Sequence, residues 1–372
     1  MEAVSNENER QKRVKVLVGL VHPLRTGGIA AAEHPLLDEL RSRPDVTIVT
    51  VPFGSRSESE SRPEKVTRLT RDLARFAAVL RRESPDVVQI NSAFDRKALI
   101  RDTGYAFVAG LMGHPLFVKL HGSDVRLTRN PTWRRRWMTR YIVRKSATIG
   151  VLSTEERNNF LAAGHAGEKF VVVRNSIDLQ KFGKPRMDGA GCPEILFIAR
   201  FVPSKGLLEL LHALHTVLDS GRKVHLTCIG DGVQMGAARR LVQELRIESA
   251  VSFEGYIPES ETSDFYLRAT MLVLPTKTEG FSMTIFQAVA AGLPVITSKI
   301  RAAADYLSEP ANCLWAEPGD VQGIAGRIIE LLDNVQLRTD MSKNNRTLAL
   351  QFSPKKIADE YVALYRELAV RR

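Results

Sequence analysis

Cysteine is scarce in this chain: only Cys192, Cys228 and Cys313 occur in 372 residues, far apart, and two lie in apolar, strand-like runs. That pattern argues against a disulfide framework or a zinc site and fits a reducing compartment. Long hydrophobic runs are missing too. No stretch of about 18 consecutive apolar residues occurs, so no membrane-spanning helix is expected. Residues 1–15 are polar and charged, without the apolar core of a secretory signal. The expectation is a soluble, cytoplasmic protein. No Asp-x-Asp triplet is present to offer a divalent-ion site.

Acidic residues are missing where basic ones crowd. Residues 1–180 hold 30 Lys and Arg against 20 Asp and Glu, whereas residues 181–372 hold 23 against 22, so the first half carries nearly all of the +11 net charge. Such a half suits an anionic partner. Between Val125 and Thr154 there are eight basic residues and no acid, among them Arg134, Arg135, Arg136, Arg140, Arg144 and Lys145. Trp133, Trp137 and Tyr141 recur at every fourth position. A basic helix with aromatic anchors fits peripheral attachment to an anionic membrane surface. A core-facing aromatic stripe beneath a solvated arginine face accounts for the same residues equally well. Nucleic acid is not expected as a partner, since no recognised module accompanies this one helix.

Short strand-like runs alternate with helical segments throughout, the pattern of parallel sheets covered by helices. The runs Val14–Val21, Val46–Phe53, Asp86–Asn91, Leu116–Leu120, Thr148–Leu152 and Phe170–Arg174 fill the first half. Residues Lys181–Pro193, with three glycines and two prolines, then break the pattern. It restarts with Ile195–Ala199, Val224–Ile229, Val251–Tyr256, Met271–Pro275, Pro294–Thr297 and Cys313–Ala316. Two doubly wound, Rossmann-like α/β domains with an interdomain cleft are predicted, over residues 1–182 and 183–352, followed by a terminal helix over 353–372.

Four sites fall where strands end. His22 to Gly28 follows the first strand, and Gly27 and Gly28 allow close backbone approach at a helix start. They lack the spaced glycines of a dinucleotide fingerprint, which disfavours hydride chemistry. His121-Gly-Ser-Asp124 follows another strand, and its imidazole suits a sugar hydroxyl, with Asp124 available to orient it. Arg200 and Lys205, five residues apart, suit a leaving diphosphate, or else salt bridges to nearby carboxylates. Glu279 precedes a helix whose opening amides, Gly280, Phe281, Ser282 and Met283, suit an anion. Gln287 lies eight residues on, about 12 Å at helical rise, the length of a nucleotide sugar.

In this order the four sites resemble family-4 retaining glycosyltransferases of the GT-B fold, over Val14 to Gly292 and the terminal helix. The resemblance extends to Asn175-Ser-Ile-Asp178 before the linker and to the turn Gly230-Asp-Gly232. It implies that Gly27 and Gly28 face the donor phosphates, that His121 and Glu279 contact the donor sugar, and that Arg200 and Lys205 hold the diphosphate. It also implies a first domain for the acceptor, a second for the donor with its nucleotide beside Gly230 and Gly232, a terminal helix that packs back toward the first domain, transfer with retention, and no metal or other cofactor. One position departs: the family's second glutamate, which binds the ribose, is Gln287 here. A carboxamide still accepts a hydroxyl hydrogen bond, more weakly than a carboxylate. The acceptor is left unnamed. A nucleotide-sugar epimerase and a catalytically inactive sugar-binding relative stay as alternatives.

Overall fold

The computed structural model describes residues 13–21, 28–53, 61–123, 131–183 and 191–370, which fall into two compact units. The first unit, residues 1–176 with 354–372, is built on β1 (Val14–Val21), α1 (Gly28–Ser42), β2 (Val46–Phe53), α2 (Arg62–Glu83), β3 (Val87–Ser92) and α3 (Arg96–Leu111). β4 (Leu116–Leu120), α4 (Trp133–Lys145), β5 (Thr148–Val151), α5 (Thr154–Ala162) and β6 (Phe170–Val172) follow. The six strands are parallel in the order β2-β1-β3-β4-β5-β6. β3, β4 and β5 are buried along their whole length, which is why they read as nearly unbroken apolar runs. Gln89, Asn91 and Lys119 are polar exceptions in their interiors, and Ser92 and Thr148 stand at strand ends.

Local signals set the helix ends. Ser61 and Glu64 form a reciprocal capping box at the start of α2, and Ser84, in the left-handed conformation, stops it. Asp95 caps α3 by accepting from the Lys97 and Ala98 amides.

The second unit, residues 177–353, contains β7 (Glu194–Ile198), α6 (Leu207–Asp219), β8 (His225–Ile229), α7 (Met235–Glu244), β9 (Val251–Gly255), α8 (Ser263–Arg268) and β10 (Met271–Leu274). α9 (Met283–Ala291), β11 (Val295–Thr297), α10 (Arg301–Tyr306), β12 (Leu314–Trp315), α11 (Val321–Asp333) and α12 (Val335–Ala349) complete it. Its parallel strands run β12-β11-β10-β7-β8-β9. The winding reverses between β7 and β10, the switch point at which open α/β sheets take ligands.

The last helix, α13 (Pro354–Val370), belongs to the first unit and packs on α1, β1 and β3. The expected division after residue 182 moves to Ser176/Ile177. The physical reason is that Ile177 donates its N–H to the Phe352 carbonyl at 2.8 Å and Phe182 meets Tyr266 edge-on at 5.7 Å. Among the described residues, no helix is long and apolar enough to cross a membrane.

Candidate active site

In the second unit the loops leaving β7, β8 and β10 are tied together by their backbones. Gly206 has φ 78°, and a Cβ there would stand 2.5 Å from the Pro275 carbonyl oxygen, so only glycine lets the β7 loop meet the β10 loop. The Ser204 carbonyl accepts from the Lys277 N–H at 2.7 Å and from the Thr276 hydroxyl at 3.0 Å. Gly230, at φ 134°, brings the β8 loop and Gly232 in from the other side, where a Cβ would fall 1.9 Å from the Ala199 carbonyl oxygen.

These contacts set Lys205 against Glu279, Nζ to Oε1 at 2.6 Å, with each side chain 15% exposed. The basic pair therefore divides. A salt bridge accounts for Lys205, whereas Arg200 is exposed and meets no carboxylate among the described residues. The N–H groups of Gly280, Phe281 and Ser282 likewise have no protein acceptor among them. Arg200, the shared Lys205 ammonium and the amides ahead of α9 are groups that suit an anion, and Glu279 is one that suits hydroxyl groups.

Two of the donor-binding candidates, Phe281 and Gln287, have buried side chains. The Phe281 ring is buried and stacks on Phe286 at 4.0 Å between centroids, so only its backbone is free for a ligand. Gln287 is 5% exposed and committed on both ends: Tyr266 donates to its Oε1 at 3.1 Å, and its Nε2 donates to Glu259 Oε1 at 2.6 Å. α9 starts only at Met283, so helical rise does not measure the distance from Glu279 to Gln287.

In the first unit, His121 follows β4, and a buried polar cluster that the motif reading missed holds its ring. Nε2 lies 3.1 Å from Asn91 Oδ1 and 3.4 Å from Glu33 Oε1. Asn91 turns its amide to Glu33 Oε2 at 3.1 Å and to the Gly19 carbonyl at 3.2 Å, which fixes its oxygen toward the histidine. Facing two acceptors, Nε2 carries the ring proton, and Nδ1 is the acceptor left over.

Glu33 is also paired with Lys119 at 2.6 Å, the side chains being 1% and 0% exposed. Burial works against the Glu33 charge, but Lys119 and His121 outweigh it and bring the carboxyl down to about 2. Burial lowers His121, opposed by its hydrogen bond to Glu33, and keeps the ring neutral. Gln89 joins the cluster through Glu33 and Asn91, and α13 reaches it through a Tyr365 hydroxyl donating to Gln89 Oε1. The available signal was three polar residues inside otherwise apolar buried strands. Gly28 opens α1; Gly27, His22 and Asp124 lie outside the described residues.

The two tryptophans of α4's aromatic stripe face outward, while Tyr141 is half-buried against the core. Trp133 is 75% and Trp137 58% exposed, Trp137 stacks on Tyr141 at 5.5 Å, and the helix buries Thr139, Ile142 and Val143 instead. Arg134, Arg136, Arg140, Arg144 and Lys145 are exposed around it, and Arg135 is half-buried. The neighbouring α3 also exposes Ile100, Phe107 and Leu111.

Two family models match the chain: "Glycosyl transferase 4-like domain" over residues 10–176 and "Glycosyl transferases group 1" over residues 189–348. An uncharacterized glycosyltransferase of Methanocaldococcus jannaschii is 24% identical over 71% of this chain and 74% of its own length. The MMP α-(1→4)-mannosyltransferase of Mycolicibacterium hassiacum is 27% identical over 70% and 67%. Among solved structures, Anabaena HepE in complex with UDP and glucose superposes with a TM-score of 0.74 at 18% identity, covering 95% of this chain and 99% of that one. Sucrose-phosphate synthase from Thermosynechococcus elongatus gives 0.78 at 19%, covering 97% and 100%. Those likenesses speak for the fold, and the family models reach across both sheets: the chain belongs to the group 1 glycosyltransferases and has the GT-B fold.

Proposed function

We propose that this glycosyltransferase moves a sugar, with retention, from a nucleotide-diphosphate donor held by the second unit to a hydroxyl acceptor handled by the first. The observation that carries the reading is the anion site at the β7/β10 switch point: unpaired Arg200, Lys205 on Glu279, and the amides of Gly280 to Ser282. HepE, solved in complex with UDP and glucose, supports a nucleotide-sugar donor.

As the bond from the anomeric carbon to the phosphate oxygen breaks, negative charge grows on the diphosphate, and Arg200, Lys205 and these amides meet it without a metal. The acceptor oxygen forms the new bond on the same face, and its proton passes to the departing phosphate oxygen, so no protein base is required. Glu279 accepts hydrogen bonds from sugar hydroxyls, and Nδ1 of neutral His121 accepts another. The acceptor is a lipid-linked glycan or polysaccharide precursor, reached when the basic, aromatic faces of α3 and α4 lie on an anionic membrane.

Thermal shift tests the donor half. A nucleoside diphosphate at 100 times its dissociation constant adds about 2.7 kcal/mol. Replacing Arg200 and Lys205 together with Ala is expected to erase most of that gain, and an undiminished shift in the double variant would overturn the phosphate assignment. Sugar appearing free, in step with nucleoside diphosphate and with no acceptor added, would favour an epimerase.

A further inference from the structure

We infer that Glu259, rather than Gln287, is the group that receives the ribose hydroxyls of the donor. The inference rests on the nucleotide-sugar reading above and assigns within it a residue from a different loop.

Gln287 is poorly placed to serve. Its side chain is 5% exposed, and a carboxylate, which only accepts, fixes which end points where. The amide nitrogen must face Glu259, and the oxygen therefore faces the Tyr266 hydroxyl, itself buried at 1% exposure. A ligand hydroxyl would have to reach the second lone pair of Oε1 in a side chain that is nearly closed to solvent.

Glu259 has the opposite character. It lies four residues beyond Gly255, the end of β9, whose carbonyl accepts the Gly230 N–H at 2.7 Å and so ties this segment to the glycine turn of β8. Its side chain is 37% exposed. Oε1 takes the Gln287 amide at 2.6 Å and the Lys181 ammonium at 3.3 Å, which orients the group. Oε2 has no partner among the described residues. An anchored carboxylate with one oxygen to spare, on the strand-end side of the sheet, is the acceptor-only group that a ribose cis-diol, with two hydroxyl donors, selects.

Gln287 then has a role of its own. A glutamate at 287 would press a second carboxylate onto Glu259 across a 2.6 Å contact, whereas a carboxamide donates to it. The carboxylate has not been lost from the site; it comes from the β9 loop, and the glutamine is its anchor.

Calorimetry with ADP, CDP, GDP and UDP, each beside its 2′,3′-dideoxy counterpart, separates the outcomes. The ribonucleotide that binds wild type best is expected to beat its dideoxy form by about tenfold, the worth of one charge-assisted hydrogen bond. Glu259→Gln is expected to erase that preference while binding the dideoxy form as wild type does, which also shows that the variant is folded. Gln287→Glu is expected to weaken the ribonucleotide. An intact ribose preference in Glu259→Gln, or tighter binding in Gln287→Glu, would overturn the inference and leave the donor reading standing. If no nucleoside diphosphate binds wild type, both fall together.

Discussion

Glu33 and Lys119 have almost no access to water, and each is tolerable in the interior only because of the other. Removing one partner is therefore the damaging change. Glu33→Ala is expected to cost about 3–5 kcal/mol in chemical denaturation, whereas Glu33→Leu with Lys119→Met is expected to recover most of it. The acid limb has a definite sign. With its carboxyl lowered from 4.5 to about 2, Glu33 contributes stability that is fully present above pH 4.5 and lost as the pH falls toward 2. Denaturation of the double variant is expected to be flatter over that window. Glu279 calls for a different measurement. Since it occupies Lys205, Glu279→Ala frees a cation for the diphosphate, so nucleoside diphosphate binding should hold or tighten while transfer falls by at least about tenfold. Weaker binding in that variant would mean that Glu279 serves the nucleotide. His121, Lys205 and Glu279 were legible because each follows a strand within a recognisable motif. Glu33 and Asn91 were not, since a lone acid on a helix and an amide in a strand acquire meaning only when the fold places them against one imidazole.

At the scale of elements, strands were the easier part to read, because parallel strands buried on both faces announce themselves as apolar runs. α3 carries a weaker signal for a physical reason. It buries Ala98, Leu99, Tyr105, Ala106 and Ala109 and also exposes Ile100, Phe107 and Leu111, so no single apolar stripe marks it. Those exposed residues, on a helix that packs against α4, make the membrane proposal testable on two helices. Sedimentation with vesicles containing anionic lipid should capture the protein at low salt. Reversing Arg134, Arg135 and Arg136 to Glu should release it, at about 1 kcal/mol for each basic group lost near the surface. Phe107→Ser with Leu111→Ser should weaken capture while leaving its salt dependence unchanged. Equal capture by neutral vesicles would point to apolar contact alone, and no capture would remove the membrane from the account.

For the molecule as a whole, charge and chemistry are divided between the units, with the basic excess in residues 1–180 and the anion site in residues 177–353. Hydrogen exchange should report that division. A nucleoside diphosphate is expected to slow amides around Gly230 and Gly280–Ser282, and anionic vesicles those of α3 and α4. Protection by the nucleotide confined to the first unit would contradict the assignment of donor and acceptor. The position of α13 was harder to read than its existence, since its amphipathic pattern does not say which sheet it will cover; packing on α1, β1 and β3 decides that.

That placement also orders events during synthesis. The second unit is one uninterrupted stretch, residues 177–353, and is complete as soon as its last residue leaves the ribosome. The first unit begins earlier yet closes only when residues 354–370 arrive to pack on β1 and β3 and to bring Tyr365 to Gln89. Until then, the layer over its central strands is unfinished, with the Glu33–Lys119 pair beneath it. The half of the chain made first is thus the half finished last. A chain ending at Ser353 should show it under limited proteolysis, with residues 13–176 cut well before residues 177–353.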